Sequence, residues 1–437
     1  MRSASPESAV VDRLLAPDPI LGVPIPAYAG RSLTNLTNSV VRALGGREGG
    51  SSADRIVLEP GVDPFGGRRA PGPVVVLLLD GFGWDSFEAV SVAPGEPLGR
   101  WRAAARPITS VFPTTTTAAL TSLSTGVAPA THGLVGYHQY LPRFGVVTDL
   151  LRMSPVGVAG MDLLVTPRWR PTQVRGVATR FRDIPGARIV SRDRFEGTGF
   201  SRVLYEGAGY TGYATGTDLA HQLVRLLDRD DPPPLTFAYW DELDTVQHLR
   251  GPGERALVDL ELGQIARLVA HVAERVAPSR ARRTTVLITG DHGQVPAARA
   301  RQLRVDRVRP LAEAMARPLA GDRRAGFFAA RPGRGGQLET ALRRRLPPHS
   351  RLLPLPLAIE RGLFGPRPRH PELEDRTGDW LALVPPGAGL VAQLPGAPPA
   401  RRHLDGAHGG LDRRELLVPL VAARLADLGT DRRPRQR

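Results

Sequence analysis

The chain has 437 residues, enough for two domains or one large α/β domain with insertions, and for a core that needs no covalent staples. It has no cysteine, which excludes disulfides and thiolate chemistry and leaves any metal site to His, Asp, Glu and hydroxyl ligands. The net charge of +15 is carried by arginine alone, with no zinc-finger or RNP-type motif beside it, so attraction of a small anionic substrate fits better than nucleic-acid binding.

The first residues, "MRSASPESAVVDRLLAPDPI", carry acids and lack the continuous apolar segment of a signal peptide. No apolar run approaches the ~20 residues of a membrane span. A cytoplasmic protein without a membrane partner is therefore expected. Residues 1–70, rich in Gly, Pro and Ser, read as an irregular lead-in.

Val74–Leu79 is an unbroken apolar run closed by Asp80-Gly81, the pattern of a strand buried on both faces of a parallel sheet. "PTTTTAALTSLSTG" follows, four threonines between Pro113 and an apolar, helix-like stretch that stops at Gly126. Residues 150–235 contain mixed short segments. "LTFAYWDELD" (235–244) and "TTVLITGDHG" (284–293) repeat the pattern of an apolar strand ending in acids, and "GERALVDLELGQIARLVAHVAERV" between them has the spacing of an amphipathic helix. That is a βαβ unit. Residues 300–400, rich in Arg, Pro and Gly, contain a strand-like "GFFAA" and a helix-like "GQLETALRRRL". This organisation predicts an irregular segment 1–70, a core α/β domain 71–299, an inserted cap-like subdomain 300–400, and a return to the core with a basic tail over 401–437.

Ligands of open α/β sheets gather at the carboxyl ends of strands. Asp80, Asp241, Asp244, Asp291 and His292 all fall there. Asp244 and His248 are four apart, so a helical turn puts both on one face, able to hold one divalent cation. Asp291 and His292 can both reach a site if the chain turns, which the glycines on either side would permit. His408 lies among small residues in "DGAHGGLD", where a backbone can approach a site closely, and His403 competes with it. Two groups of carboxylate and imidazole suit zinc or a similar ion, and a two-metal clamp on a phosphoryl group follows.

The dispersed set of Asp80, the threonine run before Gly126, Asp244-x-x-x-His248, Asp291-His292 and His408 resembles the alkaline phosphatase superfamily, most closely its type I phosphodiesterase/nucleotide pyrophosphatase branch. The resemblance implies a central, mostly parallel mixed sheet sandwiched by helices, with a cap. It implies that Asp80, Asp291 and His292 hold one zinc together with the nucleophile, and that Asp244, His248 and His408 hold the other. It places the nucleophile ten positions before the glycine that ends the helix, at Thr116, with Thr115 the runner-up. A hydroxyl at a helix N-terminus also faces the oriented N–H groups that favour a bound phosphate.

One position departs from the branch. An Asn expected five residues after His132, as a donor to a phosphoryl oxygen, is Tyr137 here. The Tyr137 hydroxyl or the Thr117 backbone N–H is then the expected substrate contact; His132 reads as structural. A sulfatase is excluded, since the chain lacks the Cys/Ser-x-Pro-x-Arg motif. The expected activity is two-metal hydrolysis of a phosphodiester or nucleotide pyrophosphate through a covalent threonine intermediate, on a small phosphorylated substrate such as a nucleotide. The alternatives are a phosphomonoesterase or phosphonate hydrolase of the same superfamily, and a non-catalytic Arg-rich nucleic-acid-binding protein.

Overall fold

The computed structural model describes residues 6–46, 55–394 and 404–430. Its centre is a seven-stranded sheet of β1 Val74–Leu79, β2 Ala105–Thr109, β3 Arg188–Arg192, β4 Gly209–Tyr213, β5 Leu235–Trp240, β6 Thr285–Gly290 and β7 Leu417–Arg424. The order across the sheet is β2-β7-β6-β1-β5-β3-β4. The pairings of β6, β1, β5, β3 and β4 are parallel, and β7 runs antiparallel to both β2 and β6. The apolar run of β1 has a direct cause. Val74, Val76 and Leu78 pack into the core on one face, Val75, Leu77 and Leu79 into the core on the other, and all six are buried. A strand covered on both faces has no polar alternation to show.

Helix α1, Leu33–Leu44, lies on the first face and helix α2, Thr116–Thr125, packs against it. Helix α3, Glu242–Arg250, follows β5, and helix α4, Arg255–Arg275, covers the second face with Val258, Leu262, Ile265 and Val269. The βαβ reading of residues 235–290 therefore holds, although β1 lies between β5 and β6.

One expectation needs correction. Residues 1–70 are not irregular throughout: among the described residues Pro6–Leu14 is helical, and α1 buries Leu33, Leu36, Val40 and Val41 against the sheet. The reason is local. Ser32 and Asn35 form a capping box, and Gly45 ends the helix in a left-handed conformation. Residues 150–235 contribute β3 and β4 to the central sheet, inside the expected core domain 71–299.

A second seven-stranded sheet runs in the order 351–354, 380–383, 325–328, 320–321, 138–141, 146–149, 154–155. It joins strands of the cap-like segment to strands from 138–155, so the cap sheet is not confined to 300–400. Where it meets the central sheet, Arg324 and Glu415 form a fully buried ion pair at 2.7 Å. His403 and the basic tail beyond residue 430 lie outside the described residues.

Candidate active site and metal centre

The site lies at the carboxyl ends of β1, β5 and β6. Asp80 follows β1, Asp241 and Asp244 follow β5, and Asp291 and His292 follow β6. Thr116 is the first residue of α2, with Thr115 as its extended N-cap residue. Gly406–Ala407 pairs antiparallel with Val295–Pro296, which brings His408 to the same place.

The glycines around Asp291-His292 are explained by close approach rather than by a left-handed turn. A Cβ at Gly290 would fall 2.2 Å from the Phe82 carbonyl oxygen, and one at Gly293 would fall 2.0 Å from that of Arg414.

Three imidazoles converge with the same orientation. His248 Nδ1 lies 2.9 Å from the Gly406 carbonyl, His408 Nδ1 2.9 Å from the Thr114 carbonyl, and His292 Nδ1 3.2 Å from the Gly293 carbonyl. A carbonyl only accepts, so each Nδ1 carries a proton, and in the neutral ring each Nε2 presents a lone pair. The Nε2 atoms of His248 and His408 then face each other at 3.2 Å, with Asp244 Oδ1 3.4 Å from His248 Nε2. His292 Nε2 faces Thr116 Oγ1 at 3.2 Å, Asp291 Oδ2 at 3.3 Å and Asp80 Oδ1 at 3.6 Å. Asp80 Oδ1 and Asp291 Oδ2 are buried with no hydrogen-bond partner. The His292 and His408 rings stack at 3.8 Å.

Lone pairs aimed at lone pairs and buried oxygens without donors are costly unless a cation lies among them. Electrostatics agrees. Burial raises Asp80, with Asp291 and Asp244 adding repulsion, and burial likewise raises Asp244 and Asp291. Burial lowers His292 and His408, keeping both imidazoles neutral and able to ligate. Among the described residues, two groups have ligand atoms within 4.8 Å of one another, Asp244 with His248 and His408, and Asp80 with Asp244 and His292. The residues therefore fit divalent metal ions. Asp244 falls in both groups, where the sequence places it in one, because it packs against the turn after β1, where a Cβ at Gly81 would fall 3.0 Å from Asp244 Cα.

Residues that the sequence reading passed over hold these ligands. The Tyr239 hydroxyl donates to Asp80 Oδ2, Gln294 Nε2 donates to Asp244 Oδ1, and the Gly81 N–H donates to Asp291 Oδ1 at 3.0 Å. Such partners orient first ligands and bias their protonation.

Tyr137 does not stand free. Its hydroxyl donates to Asp149 Oδ2 at 3.3 Å, and its backbone N–H donates to Asp322 Oδ2 at 3.3 Å. The Thr117 hydroxyl donates to the Gly136 carbonyl at 2.8 Å, while its backbone N–H belongs to the first helical turn, where no intrahelical acceptor exists. His132 is buried against Ser122 at 2.9 Å, as a structural histidine would be.

Asp322 was not foreseen either. Its Oδ1 accepts from the Thr115 hydroxyl at 2.9 Å, and burial pushes its carboxyl up to about 7. A carboxyl raised from 3.8 to about 7 on folding stabilises the fold below the unfolded value, and that stability is lost as pH rises through about 7. The loss amounts to about 4 kcal/mol between pH 4 and pH 8. Thermal unfolding of wild type and Asp322→Asn over that range should show the variant gaining relative stability as pH rises; parallel curves would refute the assignment.

The sequence model of the type I phosphodiesterase/nucleotide pyrophosphatase family matches residues 74–344. Human ectonucleotide pyrophosphatase/phosphodiesterase family member 5 is 21% identical over 237 residues, which is 53% of this chain and 47% of that protein. The chain thus aligns with about half the length of this curated relative. Among solved structures, murine ectonucleotide pyrophosphatase/phosphodiesterase 5 superposes with a TM-score of 0.62 at 18% identity, covering 80% of this chain and 87% of that one. Its inactive threonine-to-alanine form in complex with AMP gives a TM-score of 0.59 at 18% identity, with the same coverage. Phosphonoacetate hydrolase from Sinorhizobium meliloti 1021, in complex with phosphonoacetate, gives 0.56 at 19% identity, covering 82% and 91%. These likenesses bear out the alkaline-phosphatase-like sandwich. With more than half of its length matched by the family's sequence pattern, the chain belongs to the type I phosphodiesterase/nucleotide pyrophosphatase family.

Proposed function

We propose that the protein hydrolyses phosphodiester or nucleotide pyrophosphate bonds at a centre for two divalent metal ions, zinc being the ion its His and Asp donors suit best, with Thr116 as nucleophile. The observation that carries this reading is the convergence of three Nε2 lone pairs and unpaired carboxylate oxygens beside the Thr116 hydroxyl. Asp80, Asp291 and His292 would hold one ion with Thr116, and Asp244, His248 and His408 the other. The bound ions would supply Lewis-acid charge to the phosphoryl oxygens, the Thr116 oxygen and the leaving oxygen.

The chain's own part follows from geometry. Thr116 Oγ1 attacks phosphorus in line, and its bond to phosphorus forms as the leaving oxygen departs. The Thr117 N–H, unpaired in the first turn of α2, donates to the equatorial oxygen that gains charge. The hydroxyl proton of Thr116 leaves to solvent as that bond forms, and the departing oxygen takes one from solvent; water then attacks phosphorus, the bond to the Thr116 oxygen breaks, and the water returns a proton to it. Asp322 holds the Thr115 hydroxyl, fixing the residue that starts the helix. The inactive threonine-to-alanine form of the murine relative supports a threonine in this role.

The second reading, a phosphomonoesterase or phosphonate hydrolase, is favoured by one observation. The neutral donor expected at position 137 is a tyrosine whose hydroxyl is bound to Asp149. Turnover of an aryl phosphodiester and its monoester separates the two, and faster monoester cleavage would replace the first reading with the second. Elemental analysis tests the ligand groups: wild type should carry about two ions per chain, and His248→Ala or Asp80→Asn about one. An unchanged metal content in both variants would dismantle the site.

A further inference from the structure

The hairpin turn at 321–325 lies directly on the site. Gly136 and Gly321 approach so closely that a Cβ on Gly136 would fall 2.9 Å from Gly321 Cα. Gly409, next to His408, has φ +113°, and a Cβ there would fall 2.5 Å from Asp322 Cβ. Asp322 binds Thr115 and the Tyr137 N–H, and Arg324 is locked in its buried pair with Glu415 and to the Val384 carbonyl. Between these two anchored residues stands Arg323. Its carbonyl accepts from the Leu390 N–H at 2.7 Å, so its backbone is pinned as well. Its half-buried side chain makes no ion pair or hydrogen bond with any described residue. Its positive charge bears on Tyr137 and, after burial, on the imidazole of His138, which pairs with Gly321 in the second sheet.

An arginine held at the rim of a metal centre without a carboxylate partner pays for its partial burial only when an anion arrives. The charge count indicates which anion. Two divalent cations against Asp80, Asp244 and Asp291 leave one positive charge, the match for the single negative charge of a simple phosphodiester. Arg323 adds another. A guanidinium also differs in kind from the neutral amide expected at position 137, because its planar fork suits two phosphate oxygens.

We infer that Arg323 is a specificity-determining residue that binds a second negative charge of the substrate, on the scissile phosphorus or on the phosphate joined to it. This rests on the phosphoryl-transfer reading of the site and narrows it to doubly charged substrates. A phosphomonoester and a nucleotide pyrophosphate share that chemistry, and the two are separated by assay.

The test compares wild type, Arg323→Met and Arg323→Lys on an aryl phosphodiester, the matching aryl phosphomonoester and a nucleotide pyrophosphate. Loss of a charge-assisted contact should lower kcat/KM by about 10- to 100-fold more for a doubly charged substrate than for the diester. The doubly charged substrate that responds locates the second charge. Lysine should restore part of the loss, whereas a merely structural arginine would show no dependence on substrate charge. An equal loss on all three substrates overturns the inference. If wild type cleaves none of them, the phosphoryl-transfer reading fails, and calorimetric binding of inorganic phosphate to the full chain decides the matter. About tenfold weaker phosphate binding by Arg323→Met upholds the anion site, and equal binding by wild type and variant refutes it.

Discussion

Thr116→Ala lowers kcat/KM by roughly 10³-fold or more while leaving the fold and the metal content near those of wild type. The expected size corresponds to about 4 kcal/mol of transition-state stabilisation. The variant removes one hydroxyl and one methyl from a buried residue at a helix start, where alanine is well tolerated, so the fold should survive. The neighbouring hydroxyls serve as controls. Thr114 donates to the Gly410 carbonyl, Thr115 to Asp322 and Thr117 to the Gly136 carbonyl. Of the four, Thr116 alone has its hydroxyl beside His292 Nε2. Acid quenching of wild type should trap phosphorylated Thr116, found by peptide mass, and none in the variant. Wild-type activity in Thr116→Ala, or its abolition by Thr115→Ala alone, would move the nucleophile elsewhere.

Arg324→Met should destabilise the protein by about 3–5 kcal/mol, read as a shift of the denaturation midpoint. The guanidinium donates to both Glu415 oxygens, at 3.1 Å and 2.7 Å, and both side chains are almost wholly buried. Removing the arginine leaves an uncompensated carboxylate inside the protein. Glu415 also accepts from the Gly410 N–H at 2.9 Å, and the Gly409 N–H reaches Thr114 Oγ1 at 3.1 Å. The same substitution should therefore loosen His408 and lower metal content. Arg324→Met combined with Glu415→Leu should recover most of the stability, because a pair of apolar side chains carries no buried charge. If the single variant is as stable as wild type, the junction between the two sheets is held by something other than this pair.

How far these features could be read from the sequence varies by residue. β1 was legible because a strand covered on both faces is written as an unbroken apolar run. Helix α3 was legible as an Asp-x-x-x-His spacing, since one helical turn brings those positions to one face. Helix α1 was not, because Asn and Ser occupy its buried positions and obscure the apolar stripe. β3 and β4 were missed for a related reason: β4 reads "GYTGY", with too few branched residues to mark a strand.

The sequence by itself determined which residue types are available for chemistry and the local geometry they adopt. Cysteine is absent, Asp80 and Asp291 follow strands, Asp244 and His248 are spaced for one face of a helix, and Thr116 lies ten positions before the glycine that closes its helix. Only the tertiary structure decided what meets what. Asp244 reaches both ligand groups, Tyr137 turns its hydroxyl to Asp149, and Asp322 comes onto the threonine run from some two hundred residues away. Local spacing follows from the repeat of one helix or strand, whereas these contacts depend on how separate sheets close against each other, and no period along the chain records that.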